Sequence, residues 1–293
     1  MMPVLRDFDQ SSWDGVWQAS TQAAALAHLE QGGILFFPHL AFHLNPEEHV
    51  FLSDAYGNGK SKNISYDCRN NSLRGMNREA ENPSHLKAMM QRFNQCAIKL
   101  INQALPAYVA YLQVARTSYR PAEVYGRKSR SLKKDDTRLH VDAFPASPVQ
   151  GRRILRVFSN INPNEQDRIW RVGERFDRVA KRFLPNIKNP YLPATLLKAL
   201  KITKGFRTHY DHYMLQLHDC MKQDDDYQKT VEKKEIKFPA NTTWIVNTDA
   251  VSHAALAGQF LLEQTFYLSV DAMVNPKLSP LHILEKTVGR RLV

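Results

Sequence analysis

The spacing of hydrophobic positions predicts two long helices in the first half of the chain. Apolar residues recur with a period near 3.6 over 17–30 and again over 84–113, where Pro106 interrupts the second series. A shorter helix is expected at 46–54, before a polar, turn-rich loop that continues to residue 75. The first half is therefore expected to be mainly helical.

Short apolar or alternating runs, most of them in the second half, predict β-strands. The predicted strands are 34–37, 114–127, 153–163, 242–246 and 260–270, and a last short helix is expected within 275–293. Strands with helices before and between them favour an α+β sandwich or barrel. We therefore expect one domain of residues 1–293, in which a helical part of about 1–113 packs on a β core of about 114–270.

Residues 166–184 carry two interleaved series. Apolar positions and arginines each repeat at intervals of three and four, which predicts an amphipathic helix with an arginine stripe beside its apolar face. The arginines are Arg168, Arg171, Arg175, Arg178 and Arg182. Such a helix either covers a sheet with its arginines in water, or presents them to phosphates, carboxylates or a membrane surface. A further helical pattern, with breaks, runs over 191–222.

Composition indicates a globular protein of the cytoplasm. Hydrophobic residues make up 43% of the 293 positions, and no apolar run approaches the roughly 20 residues of a membrane-spanning helix. The first residues lack a basic segment followed by an apolar one, so no signal peptide is expected. Three cysteines without a C-x-x-C pair are typical of reduced thiols.

The charge balance predicts an anionic partner. The net charge is +11, and the stretch 125–156 alone has nine Lys or Arg residues against three Asp. An excess of this size suits a nucleic acid, an anionic membrane surface or an acidic substrate. A solvated basic loop would explain the same composition without a partner.

A His-X-Asp motif, His140-Val141-Asp142, lies inside this basic stretch on a predicted strand. Residues two apart on a strand share a face, so both side chains can reach one metal ion. Two histidines and one carboxylate form the facial triad of non-haem Fe(II) enzymes. His253, which follows the predicted strand 242–246, is the expected third ligand.

A second His-X-Asp, His209-Tyr210-Asp211, is set aside as a metal site. Its neighbours keep helical spacing, and on a helix side chains two residues apart diverge by about 200°. His209 and Asp211 therefore cannot chelate one ion together.

Longer strings around these motifs resemble the Kdo hydroxylase family of Fe(II)/2-oxoglutarate oxygenases. They are RLHVDAFPASP, RRILRVFSNINP, YDHYMLQLHD and TWIVNTDAVSHAALAGQFLLEQTFYL, and the similarity extends from about Ile34 to the C-terminus. The resemblance implies a double-stranded β-helix, a jelly-roll or cupin-like fold. It also implies Fe(II) on His140, Asp142 and His253, with 2-oxoglutarate and O2 as co-substrates. The implied reaction hydroxylates 3-deoxy-D-manno-oct-2-ulosonic acid (Kdo), in the lipopolysaccharide inner core on lipid A, at carbon 3.

The chain departs from most of that superfamily where an Arg or Lys normally binds the distal carboxylate of 2-oxoglutarate. Positions 263–266, shortly after the third ligand, are Glu, Gln, Thr and Phe. Arg156 on the next predicted strand is the expected replacement, because a guanidinium binds a carboxylate through two hydrogen bonds. Arg152 and Arg153 are the alternatives. Gln264 and Thr265 are expected to add hydrogen bonds to the co-substrate.

The basic stretch is expected to bind the carboxylate and phosphates of an anionic glycolipid, Kdo-lipid A. The residues assigned to this role are Arg127, Lys128, Arg130, Lys133, Lys134 and Arg138. Together with the arginine-rich stretch they favour peripheral contact with the inner face of the cytoplasmic membrane. No nucleic acid is expected, and the oligomeric state is left open. Two other interpretations stand beside this one: an oxygenase of the same class acting on nucleic acid or protein, and a non-catalytic cupin-like binding module.

Overall fold

Two β-sheets organise the chain in the computed structural model, which describes residues 3–127, 129, 131–187 and 206–293. The strands of the larger sheet are β1 (Leu5–Asp7), β2 (Ile34–Phe37), β3 (Ile64–Asp67), β4 (Ser72–Arg74), β5 (Leu112–Arg120), β6 (Arg153–Asn160), β9 (Thr243–Asn247) and β11 (Leu261–Leu268). Those of the smaller sheet are β7 (Arg168–Arg175), β8 (Lys234–Phe238) and β10 (Val251–Ala257).

The strand orders are those of a jelly roll. The larger sheet runs β1-β2-β9-β6-β11-β5-β3-β4, and the smaller one runs β10-β7-β8. Every pairing is antiparallel except that of β1 with β2. The expected α+β jelly-roll fold is confirmed.

Helices cover both sheets from outside. They are α1 (Ala19–Glu30), α2 (Pro83–Ala104), α3 (Phe176–Phe183), α4 (His209–Gln223), α5 (Asp225–Thr230) and α6 (Pro280–Val288). Helices α1 and α2 pack through Leu29, Ala97 and Leu100 in one apolar cluster with Val157 and Phe266 of the larger sheet. None of the described helices is long and apolar enough to cross a membrane.

Prolines set the ends of α2. Pro83 occupies its first turn, where a missing N–H costs nothing, and Pro106 lies two positions after its last residue, Ala104. The predicted helix over 84–113 therefore ends at Ala104, and a short 3₁₀ turn, Pro106–Tyr111, completes the segment. The helix expected at 46–54 is likewise a 3₁₀ turn, Pro46–Phe51.

The first 113 residues are not only helical, because strands β1 to β4 belong to the larger sheet. The predicted strand 34–37 lies between β1 and β9. The expected loop before residue 75 contains the hairpin of β3 and β4, with Asn71 at a positive φ of 52° in its turn. Pairing with β5 stabilises this hairpin, and such a distant partner is not visible in the local sequence.

The predicted helix over 166–184 was wrong in its first half. Residues Arg168–Arg175 form β7, and only Phe176–Phe183 are helical. Strand β7 lies between β8 and β10, so it gains ladder hydrogen bonds on both edges. Burial along it repeats every two residues, which buries Arg168 and exposes Arg171. The arginines therefore form no continuous stripe. Of the helical pattern at 191–222, residues 191–205 lie outside the described residues.

Candidate active site

The two predicted metal-binding histidines lie side by side at one edge of the smaller sheet. The backbone N–H of His140 donates to the carbonyl of His253 at 3.0 Å, and the reverse hydrogen bond is 2.9 Å long. The N–H of Asp142 donates to the carbonyl of Thr248 at 2.9 Å. The His-X-Asp segment is thus extended along β10, although it meets β10 in an isolated bridge rather than in the full strand that the sequence predicted.

Both imidazoles turn the same nitrogen toward the ion site. Nδ1 of His140 lies 2.8 Å from the carbonyl oxygen of Arg138, and Nδ1 of His253 lies 2.8 Å from that of Val251. A carbonyl only accepts hydrogen bonds, so each Nδ1 carries the proton and each Nε2 keeps a free lone pair. Such backbone contacts orient metal-binding histidines.

Asp142 completes the donor set. Its Oδ1 lies 3.8 Å from Nε2 of His140, and ligand atoms of His140, Asp142 and His253 lie within 4.8 Å of one another. Oδ2 of Asp142 is buried and lies 3.1 Å from Nη2 of Arg156. In the described part of the chain this is the one group of three such side chains close enough to hold an ion. Two imidazoles and a carboxylate fit Fe(II) or a similar divalent ion.

The charge states of the three side chains also suit a metal. Burial lowers the pKa of both His140 and His253, so the imidazoles stay neutral near pH 7. Burial alone would raise the pKa of Asp142, but the charge of Arg156 outweighs it and helps to hold that pKa at about 2. Neutral imidazoles and an ionised carboxylate are the forms that bind metal ions.

The arginine expected to bind 2-oxoglutarate is already paired with two carboxylates. Arg156 lines the cavity beside the triad, with Nη2 3.1 Å from Asp142 and Nη1 3.2 Å from Glu263. Glu263 also accepts two hydrogen bonds from Arg120, at 3.1 and 2.5 Å. Asp142 contacts Arg156, and Glu263 joins Arg156 to Arg120. The four side chains thus form one continuous series of ion pairs.

The two alternative arginines differ in position. Arg152 lies at the rim of the cavity, where Gln113 accepts a hydrogen bond from it. Arg153 is 1% exposed, does not line the cavity and forms a two-point ion pair with Asp249 at 2.7 and 3.1 Å. Arg153 therefore stabilises the fold. The alternative that Arg153 binds the distal carboxylate of the co-substrate was wrong.

The two polar residues predicted on the last strand point to opposite faces of β11. Gln264 is fully buried away from the cavity, where its side-chain oxygen accepts from Asn94 of α2 at 2.9 Å and from Thr117 of β5 at 2.6 Å. The prediction that Gln264 contacts the co-substrate was wrong, because side chains alternate along a strand. Thr265 does line the cavity, and its hydroxyl donates to Glu263 at 3.2 Å.

The cavity has a volume of about 940 Å³ and lies against both sheets and helix α4. Lysine and arginine side chains outnumber carboxylates along its wall. The basic residues are Lys62, Arg69, Arg74, Arg116, Arg120, Lys133, Lys134, Arg152, Arg156, Arg168 and Lys222. An anionic substrate would be attracted into such a site.

The residues predicted to bind substrate are only partly at this wall. Lys133 and Lys134 line it. Arg127 and Arg138 do not line it; Arg127 pairs with Asp136 at 2.9 Å, and Arg138 pairs with Asp225. Lys128 and Arg130 lie outside the described residues.

Sequence reasoning missed most of the remaining basic wall. Arg116 and Arg120 lie on β5 with even spacing, so the predicted strand 114–127 already placed them on one face. His218 and Lys222 lie one turn apart on α4, and the ring of His218 is 5.3 Å from that of His140. The same helix contains the His209 motif, and there Asp211 takes part in a capping box with Thr208 at the start of the helix.

A jelly roll that carries a buried His-Asp-His triad beside a basic cavity fits a non-haem Fe(II), 2-oxoglutarate-dependent dioxygenase. A family model described as 3-deoxy-D-manno-oct-2-ulosonic acid (Kdo) hydroxylase matches residues 12–291. The chain therefore belongs to the Kdo hydroxylase family, and the resemblance read from its motifs is confirmed.

Solved structures support the same assignment over the whole chain. The chain resembles the Kdo hydroxylase KdoO in complex with α-ketoglutarate and Fe(III), with 45% identity, a TM-score of 0.95, and 99% and 98% of the two chains covered. It also resembles the cobalt(II) complex of KdoO, with 46% identity, a TM-score of 0.96 and the same coverage. No curated protein sequence matches the chain. These relatives favour an enzyme over a non-catalytic binding module.

Proposed function

We propose that this dioxygenase hydroxylates carbon 3 of a Kdo sugar in the lipopolysaccharide inner core. The observation that carries the proposal is the position of the triad, whose two free Nε2 atoms and one carboxylate lie at the wall of a basic cavity. Membership of the Kdo hydroxylase family supports the choice of sugar.

The residues assigned to iron are His140, Asp142 and His253. Iron(II) with 2-oxoglutarate and O2 supplies the oxidising power that replaces C–H by C–OH, as 2-oxoglutarate becomes succinate and CO2. The protein holds the imidazoles neutral and correctly turned through the carbonyls of Arg138 and Val251. Trp170 stacks on the ring of His253 at a centroid distance of 5.0 Å and supports that ring from one side.

The co-substrate would bind in the cavity with its 2-oxo acid end toward the triad. The sequence-based expectation puts its distal carboxylate on Arg156 and Thr265, which pair directly across β6 and β11. Arg156 can take this carboxylate only by opening its ion pairs with Asp142 and Glu263.

The basic wall of the cavity suits the anionic groups of a Kdo-containing glycolipid. The carboxylate carbon of Kdo is bonded to carbon 2, and carbon 2 is bonded to carbon 3. The cation that binds this carboxylate must therefore lie near the metal. Lys222 fits, because it is 2% exposed, lines the cavity and sits one helical turn from His218. Lys133 and Lys134 lie beside it and suit further anionic groups.

The lipid part of the substrate favours contact with the inner face of the cytoplasmic membrane. Tyr125 and Leu132 are 79% and 46% exposed on the segment that also carries Arg127, Lys133 and Lys134. Exposed apolar residues among basic ones are typical of peripheral membrane contact. We also propose a single domain over residues 1–293, since strands from Leu5 to Leu268 share one sheet.

The decisive experiment incubates the purified chain with Fe(II), ascorbate, 2-oxoglutarate and Kdo-lipid A. We expect succinate, and a gain of one oxygen that fragmentation mass spectrometry assigns to carbon 3 of Kdo. His140→Ala and Asp142→Ala should abolish both products, while the exposed His209→Ala should keep full activity. Turnover by the triad variants, or oxygen placed elsewhere, would exclude the proposed function.

A further inference from the structure

The string YDHYMLQLHD contains a histidine–aspartate pair that the metal site does not use. His218 and Asp219 are adjacent on helix α4, and Nδ1 of His218 lies 2.9 Å from Oδ1 of Asp219. Lys133 donates to the other oxygen of this carboxylate at 2.7 Å. Burial alone would raise the pKa of Asp219, but its contacts with His218 and Lys133 lower that pKa below its ordinary 3.8. The carboxylate is therefore ionised near pH 7 and accepts the Nδ1 proton.

The ring of His218 lies beside the metal site although it is not a member of the triad. It meets the ring of His140 edge to face, with 5.3 Å between the centroids and 85° between the planes, and it lines the cavity. Because Asp219 occupies Nδ1, only Nε2 is left for a further partner. No hydrogen bond with a described residue uses Nε2, and this atom is not shut off from solvent, so it is open to the cavity.

Lys222 enters the cavity from the same face of α4. It follows His218 by four positions, and side chains with this spacing have Cβ atoms about 5–6 Å apart. Its ammonium group lies 3.8 Å from Asp136 and donates to the carbonyl of Lys133 at 3.3 Å. An ammonium group has three donors, so these contacts leave room for an anion. The helix thus presents a hydrogen-bonding nitrogen and a cation side by side.

Kdo carries matching groups on the two carbons that flank carbon 3. Carbon 2 bears the carboxylate, and carbon 4 bears a hydroxyl group. Contacts to both groups fix the position of carbon 3 between them. With the carboxylate on Lys222, the 4-hydroxyl falls to the neighbouring His218, whose ring lies against the metal-binding His140.

We propose that His218 binds the sugar through a hydrogen bond between its Nε2 and the 4-hydroxyl of Kdo. The proposal rests on the proposed function, because it takes carbon 3 of Kdo as the reacting carbon and Lys222 as the partner of its carboxylate. A hydroxyl group both donates and accepts, so it can pair with Nε2 whether this atom carries a proton or a lone pair. Asp219 sets which ring nitrogen faces the sugar, and Lys133 holds Asp219 in place.

This contact selects the sugar by a hydroxyl group as well as by its charge. The lysines and arginines of the cavity wall attract any anion of suitable size. A site built to hydrogen-bond a substrate hydroxyl discriminates more strongly, because an analogue without that hydroxyl leaves the protein group unpaired. His218 therefore separates Kdo from acids that lack a hydroxyl next to the reacting carbon.

The test is a double-mutant cycle between His218 and the 4-hydroxyl. The Fe(II)-loaded full chain is incubated with 2-oxoglutarate, ascorbate and either Kdo-lipid A or a synthetic counterpart whose Kdo lacks the 4-hydroxyl. In the parent chain, loss of the hydroxyl should lower kcat/KM roughly tenfold or more. In His218→Phe, which keeps an aromatic ring beside His140, the two substrates should agree within about twofold. With Kdo-lipid A this variant should also form more succinate than hydroxylated Kdo.

Two controls separate a contact with the sugar from an effect on the metal. Calorimetry should give the parent affinities for Fe(II) and 2-oxoglutarate in His218→Phe. The variant His209→Phe, at the exposed start of the same helix, should keep the parent preference for the hydroxylated sugar. Should His218→Phe fail to fold, His218→Ala takes its place in the cycle with the same expectation.

An equal penalty for the missing hydroxyl in the parent chain and in His218→Phe would overturn the proposal. A parent chain that is indifferent to the hydroxyl would do the same. Weaker binding of Fe(II) or 2-oxoglutarate in His218→Phe would show that the ring acts on the metal site instead, which also contradicts it. A parent chain that hydroxylates neither substrate would refute the proposed function itself, which separates the two failures.

Discussion

His140 and His253 exchange both of their backbone hydrogen bonds, at 3.0 and 2.9 Å, across the edge of the smaller sheet. This pair brings two rings that are far apart in the sequence to a centroid distance of 4.7 Å. The metal site is thus built into the pairing of backbone segments, and its geometry does not depend on a flexible loop.

Removal of any triad side chain should abolish stoichiometric metal binding. His253→Ala leaves two ligands, too few for the facial set, while the backbone pairing with His140 needs no side chain. Elemental analysis after loading with Fe(II) or Co(II) measures the bound metal. In the parent chain a metal concentration of 100 times Kd should add about 2.7 kcal/mol of stability, and in His253→Ala nothing. A His253→Ala chain that keeps one equivalent of metal would contradict the triad; His209→Ala serves as control.

Arg156→Gln should make metal binding more sensitive to acid. Arg156 helps to hold the pKa of Asp142 at about 2, below its ordinary 3.8. A depressed carboxyl pKa stabilises the folded chain above pH 3.8, and this contribution disappears as the pH falls through about 2. Without Arg156 the carboxyl takes up a proton at higher pH, so the midpoint of metal release in a pH titration should move upward. An unchanged midpoint would show that the ion pair has no influence on Asp142.

Buried His28 should make the folded chain lose stability below pH 6.5. Burial lowers the pKa of this histidine below its ordinary 6.5, so the unfolded chain binds the proton more readily. Stability is therefore complete above pH 6.5 and falls as the pH drops toward the folded pKa. His28→Gln should reduce this pH dependence, measured by urea unfolding at pH 8 and pH 5.5. The exposed His85→Gln is the control, and an equal slope in both variants would refute the prediction.

The ion pair of Arg153 with Asp249 should be essential for folding and not for co-substrate binding. Both side chains are at most 1% exposed, so Arg153→Leu leaves a buried carboxylate without a partner. Loss of about 3–5 kcal/mol in the free energy of unfolding is expected by urea titration. Arg175→Gln breaks the exposed pair with Asp177 and should cost less than about 1 kcal/mol. Similar losses in the two variants would contradict this account.

Arg116 should contribute to binding of the anionic substrate. It lines the cavity, and its nearest carboxylate, Asp67, is 4.0 Å away and already bound by Arg69. Arg116→Gln should raise KM for Kdo-lipid A roughly tenfold or more, with kcat and 2-oxoglutarate affinity little changed. Steady-state kinetics at two salt concentrations would check this. Arg78→Gln, exposed and away from the cavity, should have no effect.

Three strands beside the metal site could be read from local pattern, because apolar alternation and turn residues are properties of short segments. The predicted strands 153–163, 242–246 and 260–270 correspond to β6, β9 and β11. The helix predicted over 166–184 was wrong in its first half. The spacing there suits a helix, but pairing with β8 and β10 makes this half a strand. Long-range ladder hydrogen bonds outweighed the local period there.

The sequence by itself determined the metal chemistry of this protein. His140, Asp142 and His253 are recognisable because ligand type and spacing are local facts and the third histidine follows a predicted strand. Only the tertiary structure determined the orientation and the partners of the charged and polar side chains around them. It turned Gln264 away from the cavity and paired Arg156 with two carboxylates, and among the described residues it gave Arg168 no carboxylate partner. An arginine's role depends on which distant carboxylates lie within reach after burial, and no local sequence pattern encodes that distance.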